Sequence, residues 1–225
     1  MISILVSAYQ AEDYLEDLIK SIDFEQAELL IVIDNCFKTR VEGKRLEKKY
    51  PQVRWFNSYV NNGPYININS LVDYAKYNFI LPFGADDHFK EGALSVLNYE
   101  LRDYLFDVVR FRYTNYKGNK YIKEMECVAD GAFVIKKSLF NYLGGFMPWR
   151  CAADTELKLR ALENKALEFR IEFSLFMRRL HDNALTQSKS TGVGSKHRTE
   201  AIEYIKANKG KRKPIIMETV KLIEL

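Results

Sequence analysis

Phe79-Ile80-Leu81-Pro82-Phe83-Gly84-Ala85-Asp86-Asp87 decides the fold of this chain. A short continuous apolar run that stops at glycine and a pair of acids reads as a strand buried on both faces, and such strands belong to parallel sheets covered by helices. Two runs of the same kind lie upstream: Leu29-Leu30-Ile31-Val32-Ile33, ending at Asp34, and residues 2–7 at the start of the chain. Between these runs Tyr14, Leu15, Leu18, Ile19 and Ile22 recur at helical spacing, and a charged helix covers roughly 39–49 before Pro51. Val53–Phe56 reads as a short strand, and Ile68, Leu71, Val72 and Ala75 mark another amphipathic helix. This alternation predicts a parallel sheet with helices on both faces. Ligands of such sheets bind outside the carboxyl ends of the strands, where Asp34 and Asp86-Asp87 stand.

The second half has a different pattern. Asp107–Tyr113 and Tyr121–Cys127 read as antiparallel strands around Lys117-Gly118-Asn119, and Gly131–Lys136 as a further strand. Ser138–Leu143 is a short helix closed by Gly144-Gly145, and Ala152–Leu162 a helix with Asp154 in its first turn. Leu167–Leu180 reads as extended. Thr191–Ser195 is a break before a basic helical tail over 191–225.

A chain of 225 residues with 47% apolar content builds one large domain, or one domain with a small appendage. Its three cysteines, Cys36, Cys127 and Cys151, form no CxxC pair, which argues against a zinc site or a disulfide framework. The first residues read as a strand and not a leader, and no stretch approaches the roughly 20 apolar residues of a membrane span. A cytoplasmic protein is expected. The net charge of +4 is concentrated at 196–213, where seven Lys/Arg face two Glu. That basic segment fits a polyanionic neighbour or a solvated helix face. GxGxxG, GxxxxGK[ST] and GxSxG are all absent, so dinucleotide, P-loop and serine-hydrolase chemistry have no support.

Six segments carry a resemblance, in chain order: Ile2–Gln10; Val32-Ile33-Asp34-Asn35; Asn62-Gly63-Pro64-Tyr65-Ile66-Asn67-Ile68-Asn69; Gly84-Ala85-Asp86-Asp87; Gly144-Gly145-Phe146 followed by Asp154; and Arg179-Leu180-His181. Together they resemble the family-2 glycosyltransferases. The sequence departs from that pattern at Gly84, Ile68, Ala153 and Lys38, where the family usually carries an acid, an arginine, a glutamate and often an acid. The resemblance implies a GT-A (Rossmann-like) mixed α/β sheet flanked by helices. Residues 1–190 would form the transferase domain, with a nucleotide-sugar half over 1–88 and an acceptor half over 89–190.

It also implies a metal-dependent inverting transfer from a nucleotide-diphosphate sugar, UDP-linked, to an acceptor hydroxyl. Asp86 would hold Mn²⁺ or Mg²⁺, with Asp87 beside it and His181 as a further ligand. The ion would neutralise charge on the leaving diphosphate. From the residues alone, the acid pair could equally cap the helix expected near Glu91. Asp34, Ala8, Tyr9 and Asn69 would meet the donor, although Asp34 also suits a strand-end turn and Tyr9 the core. Asp154 would take the proton of the acceptor hydroxyl, and a first-turn position favours its ionised form.

Trp149 and Arg150 stand before Asp154, where a ring stacks on sugar and a guanidinium holds phosphate, or where both simply pack. The segment 110–123 carries five basic residues, four aromatics and no acid. Arg112 and Tyr113 within it are acceptor-side candidates. This alternation fits a surface that tracks phosphates and stacks bases, or a hairpin with one aromatic and one basic face. The acceptor expected from the resemblance is a saccharide. A hydroxylated, flipped-out DNA base is the alternative that the basic segments raise, and a non-catalytic nucleotide-sugar-binding module is the alternative from another class.

Overall fold

Strand β1 (Ile2–Ala8) sends Ile2, Ile4, Val6 and Ala8 to one side of the sheet and Leu5 to the other. Strand β2 (Ala27–Asp34) sorts Leu29, Ile31 and Ile33 from Leu30 and Val32 in the same way. A period of two in a continuous apolar run therefore feeds two separate cores, one on each face. On the first face lie α1 (Leu15–Lys20), α2 (Phe37–Lys49) and α4 (Ala93–Leu101), through Leu15, Leu18, Ile19, Leu46, Leu94 and Leu97. On the second lie α3 (Pro64–Leu71), α5 (Lys137–Leu143) and α6 (Ala153–Glu163), through Ile68, Leu71, Phe140, Leu143 and Leu157.

The computed structural model describes residues 1–103, 105–118, 120–125 and 132–225. The remaining strands are β3 (Arg54–Ser58), β4 (Phe79–Gly84), β5 (His88–Phe89), β6 (Val108–Lys117), β7 (Lys120–Met125), β8 (Phe133–Lys136), β9 (Glu168–Arg179) and β10 (Ile223–Glu224), and the last helix is α7 (Lys196–Ala207). The end of the strand expected over 121–127, with Cys127, Asn119 and Gly131, lies outside the described residues. All ten strands join one mixed sheet of order β10-β3-β2-β1-β4-β8-β6-β9-β5, with β7 paired to β6. β3, β2, β1 and β4 are parallel, as the sequence alternation requires. β8 turns the sheet antiparallel, against both β4 and β6.

Two features differ from expectation. The second half is not wholly antiparallel: β9 runs parallel to β6, because the connection between them crosses the sheet through α5 and α6. The tail is helical only through α7. Beyond it Pro214 forbids a further helical turn, and residues 208–225 return as an extended strap. Ile215 N–H donates to Leu143 O, Val220 N–H to Ser70 Oγ and Leu225 N–H to Trp55 O, at 3.0, 2.8 and 2.9 Å. Leu222 is buried in the second core, and β10 pairs antiparallel with the β3 edge. The strap explains Gly144-Gly145: a Cβ on Gly144 would stand 1.9 Å from Ile215 O, and one on Gly145 would stand 2.6 Å from Asn69 Oδ1. Among the described residues no helix is long and apolar enough to cross a membrane.

Candidate active site

Ser7 of β1 stands beside Gly84 of β4 in the sheet, and Ala8 beside Ile33 of β2. The chain leaves all three strands at the same end, which brings Tyr9, Asp34 and Asp86-Asp87 to one rim. His181, just beyond β9, reaches that rim from the far half of the sheet. Its Nε2 lies 2.8 Å from Asp86 Oδ2, and its ring packs 4.9 Å from that of Tyr14. Arg179 ties the group together. Its main-chain N–H donates to Asp87 Oδ1 at 2.9 Å, its Nε to Asp86 O at 3.1 Å, and its guanidinium pairs with Asp17 at 2.9 Å. It also lies over the rings of Tyr14 and Tyr116.

Gly84 has a local reason to lack a side chain. Asp86 Oδ1 and Asp87 Oδ2 each lie 2.9 Å from the place its Cβ would take, so both carboxylates converge on the bare backbone. Burial and the neighbouring Asp86 charge push the Asp87 carboxyl well above the usual carboxylate range, against the pull of the Arg179 N–H and the two arginines. Burial, then the Arg179 charge, lowers His88. Burial holds Tyr116 up at about 12.

Asp34 is 2% exposed. Its Oδ1 accepts the N–H of Asn62 at 2.8 Å and its Oδ2 that of Gly63 at 2.9 Å, so it shapes the loop that starts α3. Each oxygen keeps a second lone pair for a ligand. Arg150 reaches the same loop from the other half, its guanidinium bonding both the side-chain and the main-chain oxygen of Asn61. From α3, Asn67 Nδ2 donates to Ser7 Oγ at 3.0 Å.

Asp154 stands in the first turn of α6, after Ala152 at φ 63°, and its Oδ1 accepts the N–H of Thr155 at 2.9 Å. Burial, then the Asp154 charge, pushes the phenol of Tyr65 on α3 well above its usual value. Behind this group a buried network fixes the turn that leads to α6. Arg160, fully buried, donates to Leu143 O at 2.5 Å, to Gly145 O at 2.8 Å and to Glu156.

Several expected site residues have other work. Asn69 is 1% exposed, and its amide is spent on Phe146 and Glu218. It is a scaffold residue and not a donor ligand. Ala8 is core, enclosed by the first cluster, and does not line a base pocket with its side chain. Tyr9 is 48% exposed at the rim. Trp149 packs edge-on against Tyr204 of α7 at 5.2 Å. The segment 110–123 divides between core and surface: Lys117, Lys120 and Tyr121 are exposed. Phe111, Tyr113 and Tyr116 are buried, Tyr113 against Phe176. Arg110 pairs with Glu168, and Arg112 with Glu172 at 2.8 Å. Arg112 and Tyr113 are parts of the β6–β9 ladder.

Tyr65 and Arg179 lie in the matched segments and Tyr14 in an apolar helical pattern, yet the sequence gives none of them, nor Arg160, a role at the site. The i,i+4 spacing of Glu156 and Arg160 was a signal for an ion pair.

The model of glycosyl transferase family 2 matches residues 3–181. The chain belongs to this family. Its GT-A fold is similar to that of S. aureus TarS, residues 1–349, in complex with UDP-GlcNAc, at 15% identity and a TM-score of 0.74 over 92% of this chain. It is also similar to the mannosyltransferase PcManGT of Pyrobaculum calidifontis in complex with GDP-Man and Mn²⁺, at 13% identity and a TM-score of 0.69 over 90% of this chain. This family-2 chain spans 65% of that TarS chain and 64% of PcManGT. No curated protein matches it in sequence.

Proposed function

We propose that this family-2 chain is a metal-dependent, inverting glycosyltransferase that moves a sugar from a nucleoside diphosphate donor, UDP-linked, to the hydroxyl of a saccharide acceptor. The observation that carries this reading is the Asp86–His181 pair at 2.8 Å, with Asp87 turned onto the same bare glycine. A carboxylate oxygen and an imidazole nitrogen form a donor set that Mn²⁺ accepts. Among the described residues no three His, Cys, Asp or Glu side chains are grouped to hold an ion unaided. This fits a site that two protein ligands begin and a diphosphate and water complete. Asp86 and His181 would hold the ion, which when bound neutralises charge developing on the leaving diphosphate. The GDP-Man and Mn²⁺ bound to PcManGT and the UDP-GlcNAc bound to TarS support both donor class and metal.

Asp34 and Tyr9 form the nucleoside edge of this site. Asp154 is the base: it takes the proton from the acceptor oxygen as that oxygen attacks the anomeric carbon opposite the leaving group, and one such displacement inverts the centre. α3 reaches the β1 end of the site, touching Ser7 through Asn67. Arg150, bridging to Asn61, holds the two loops at the mouth.

Thermal stability against UDP, GDP, CDP and ADP, each with and without Mn²⁺, tests the reading. A ligand bound only by the folded state raises the Tm. The expected result is a rise with UDP that needs Mn²⁺ and vanishes in Asp86→Ala. No rise with any nucleotide in a folded sample would count against donor binding and favour a repurposed GT-A domain.

A further inference from the structure

The carboxyl ends of β2 and β3 are held together by the Asn35 N–H, which donates to Ser58 O at 3.1 Å. Just beyond them the chain puts four apolar side chains into solvent: Phe37 is 77% exposed, Val41 55%, Tyr59 62% and Val60 65%. Neither pair is loose. Phe37 and Val41 stand one turn apart on α2, whose opposite side buries Thr39, Gly43 and Leu46. Tyr59 and Val60 sit on a turn closed by the Ser58 hydroxyl, which donates to Val60 O at 2.8 Å and accepts the Asn62 amide at 2.6 Å. The Arg40 guanidinium lies over the Tyr59 ring at 5.8 Å and joins the two pairs into one patch. Lys44 and Lys48 continue the line of Phe37 and Val41 along α2, with Lys38 beside it, and all three are exposed. Arg45 and Lys49 are spent on Glu16 and Glu42. Among the described residues Lys38, Lys44 and Lys48 enter no ion pair with these acids.

We infer that this patch is a docking surface for a bilayer that carries anionic phospholipid. Solubility asks the outward side of a helix for charged residues, not for a phenylalanine and a valine at its start. A bilayer interface takes both parts of the pattern. The apolar side chains enter at headgroup level, while the lysines lay their stems along the apolar surface and bring their ammonium groups to lipid phosphates. Glu42, next to Val41, is neutralised by Arg45 and does not oppose that field. A nucleic acid would use the same cations, but Val41 and Val60 offer no ring on which a base stacks. The patch leaves the sheet at the same end as Asp34, so docking here sets that rim beside the membrane surface.

The test is co-sedimentation of the full chain with lipid vesicles. Vesicles of phosphatidylcholine mixed with phosphatidylglycerol are expected to carry the protein down, and vesicles of phosphatidylcholine alone are not. Added salt should release it. Phe37→Ser with Val60→Ser removes apolar contact and should weaken binding about tenfold. Lys44→Gln and Lys48→Gln should each weaken it about fivefold. All four side chains are on the surface, so the Tm should stay at the wild-type value and lost binding reads as lost contact. No sedimentation with the anionic vesicles overturns the proposal. Sedimentation that survives both sets of changes places the contact elsewhere, as on the basic α7, and overturns it too. Light scattering and the nucleotide screen cover the other occupants. A dimer that Phe37→Ser separates would assign the patch to a second copy of the chain. A UDP shift that Phe37→Ser abolishes while vesicle binding persists would assign it to the donor. Either result overturns the membrane assignment.

Discussion

The side-chain amide of Asn69 closes on the backbone of Phe146 from both sides, accepting its N–H at 2.9 Å and donating to its carbonyl at 3.0 Å. The same Nδ2 donates to Glu218 O at 3.0 Å. One buried residue thus fastens α3 to the turn ahead of α6 and to the returning strap. Asn69→Ala strands three main-chain groups, and losing buried hydrogen bonds at about 1 kcal/mol each, with unsatisfied groups costing more, predicts a loss of about 3 kcal/mol. Urea unfolding measures it. A midpoint equal to wild type would show that water or relaxation replaces the amide.

Arg160 is the larger wager. It is buried with Glu156 and holds two carbonyls. Arg160→Leu leaves the Glu156 charge without its partner, a loss of about 3–5 kcal/mol. Adding Glu156→Leu should recover part of this, because the stranded charge goes while Leu143 O and Gly145 O remain bare. A double variant no better than the single one would place the whole cost in the two carbonyls.

Asp87 gives a pH dependence. Burial, then the Asp86 charge, holds its carboxyl well above the ordinary 3.8 in the folded chain, so between the two values the folded state keeps a proton that the unfolded state has released. Stability from this group is greatest below about pH 3.8 and falls as pH rises toward the folded value. In metal-free buffer Asp87→Asn should therefore raise the Tm at neutral pH and change little at pH 3. Parallel Tm–pH curves for the two proteins would contradict the raised carboxyl.

His181→Ala should behave as Asp86→Ala does in the nucleotide screen. The Mn²⁺-dependent part of the UDP shift should disappear, and the Tm without ligand should stay close to wild type, since the His181 ring is held mainly by Asp86 and Tyr14. A full Mn²⁺-dependent shift in His181→Ala would confine the metal to Asp86.

Truncation after Ala207 should destabilise the domain, because Leu222 leaves the second core and β3 loses its outer partner. Burying one leucine stabilises by about 1.5–3 kcal/mol, before hydrogen bonds are considered. A truncated protein as stable as the full chain would make the strap a passenger.

The parallel half of the sheet was legible because β1, β2 and β4 are continuous apolar runs whose ends carry acids. Asp86 and His181 were legible only through a resemblance, since residues 95 positions apart share no local pattern. The surroundings of the β6–β7 hairpin were hidden for the same reason. The acids that neutralise Arg110 and Arg112 sit on β9, 58 and 60 residues on, so a local window shows cations and aromatics alone. The strap was invisible as well: 208–225 has no periodicity, and its order comes from backbone groups meeting Leu143, Ser70 and Trp55.

The pairing of β10 with β3 sets a schedule for synthesis. On the ribosome residues 1–88 emerge first, yet the outer edge of β3 stays open until residues 223–224 have been made. An open edge of this kind recruits other nascent chains, and contacts between residues so far apart in sequence form slowly. Expression at low temperature, or with a chaperone that shields bare strands, should raise the yield of monodisperse protein more than any change at the rim around Asp86.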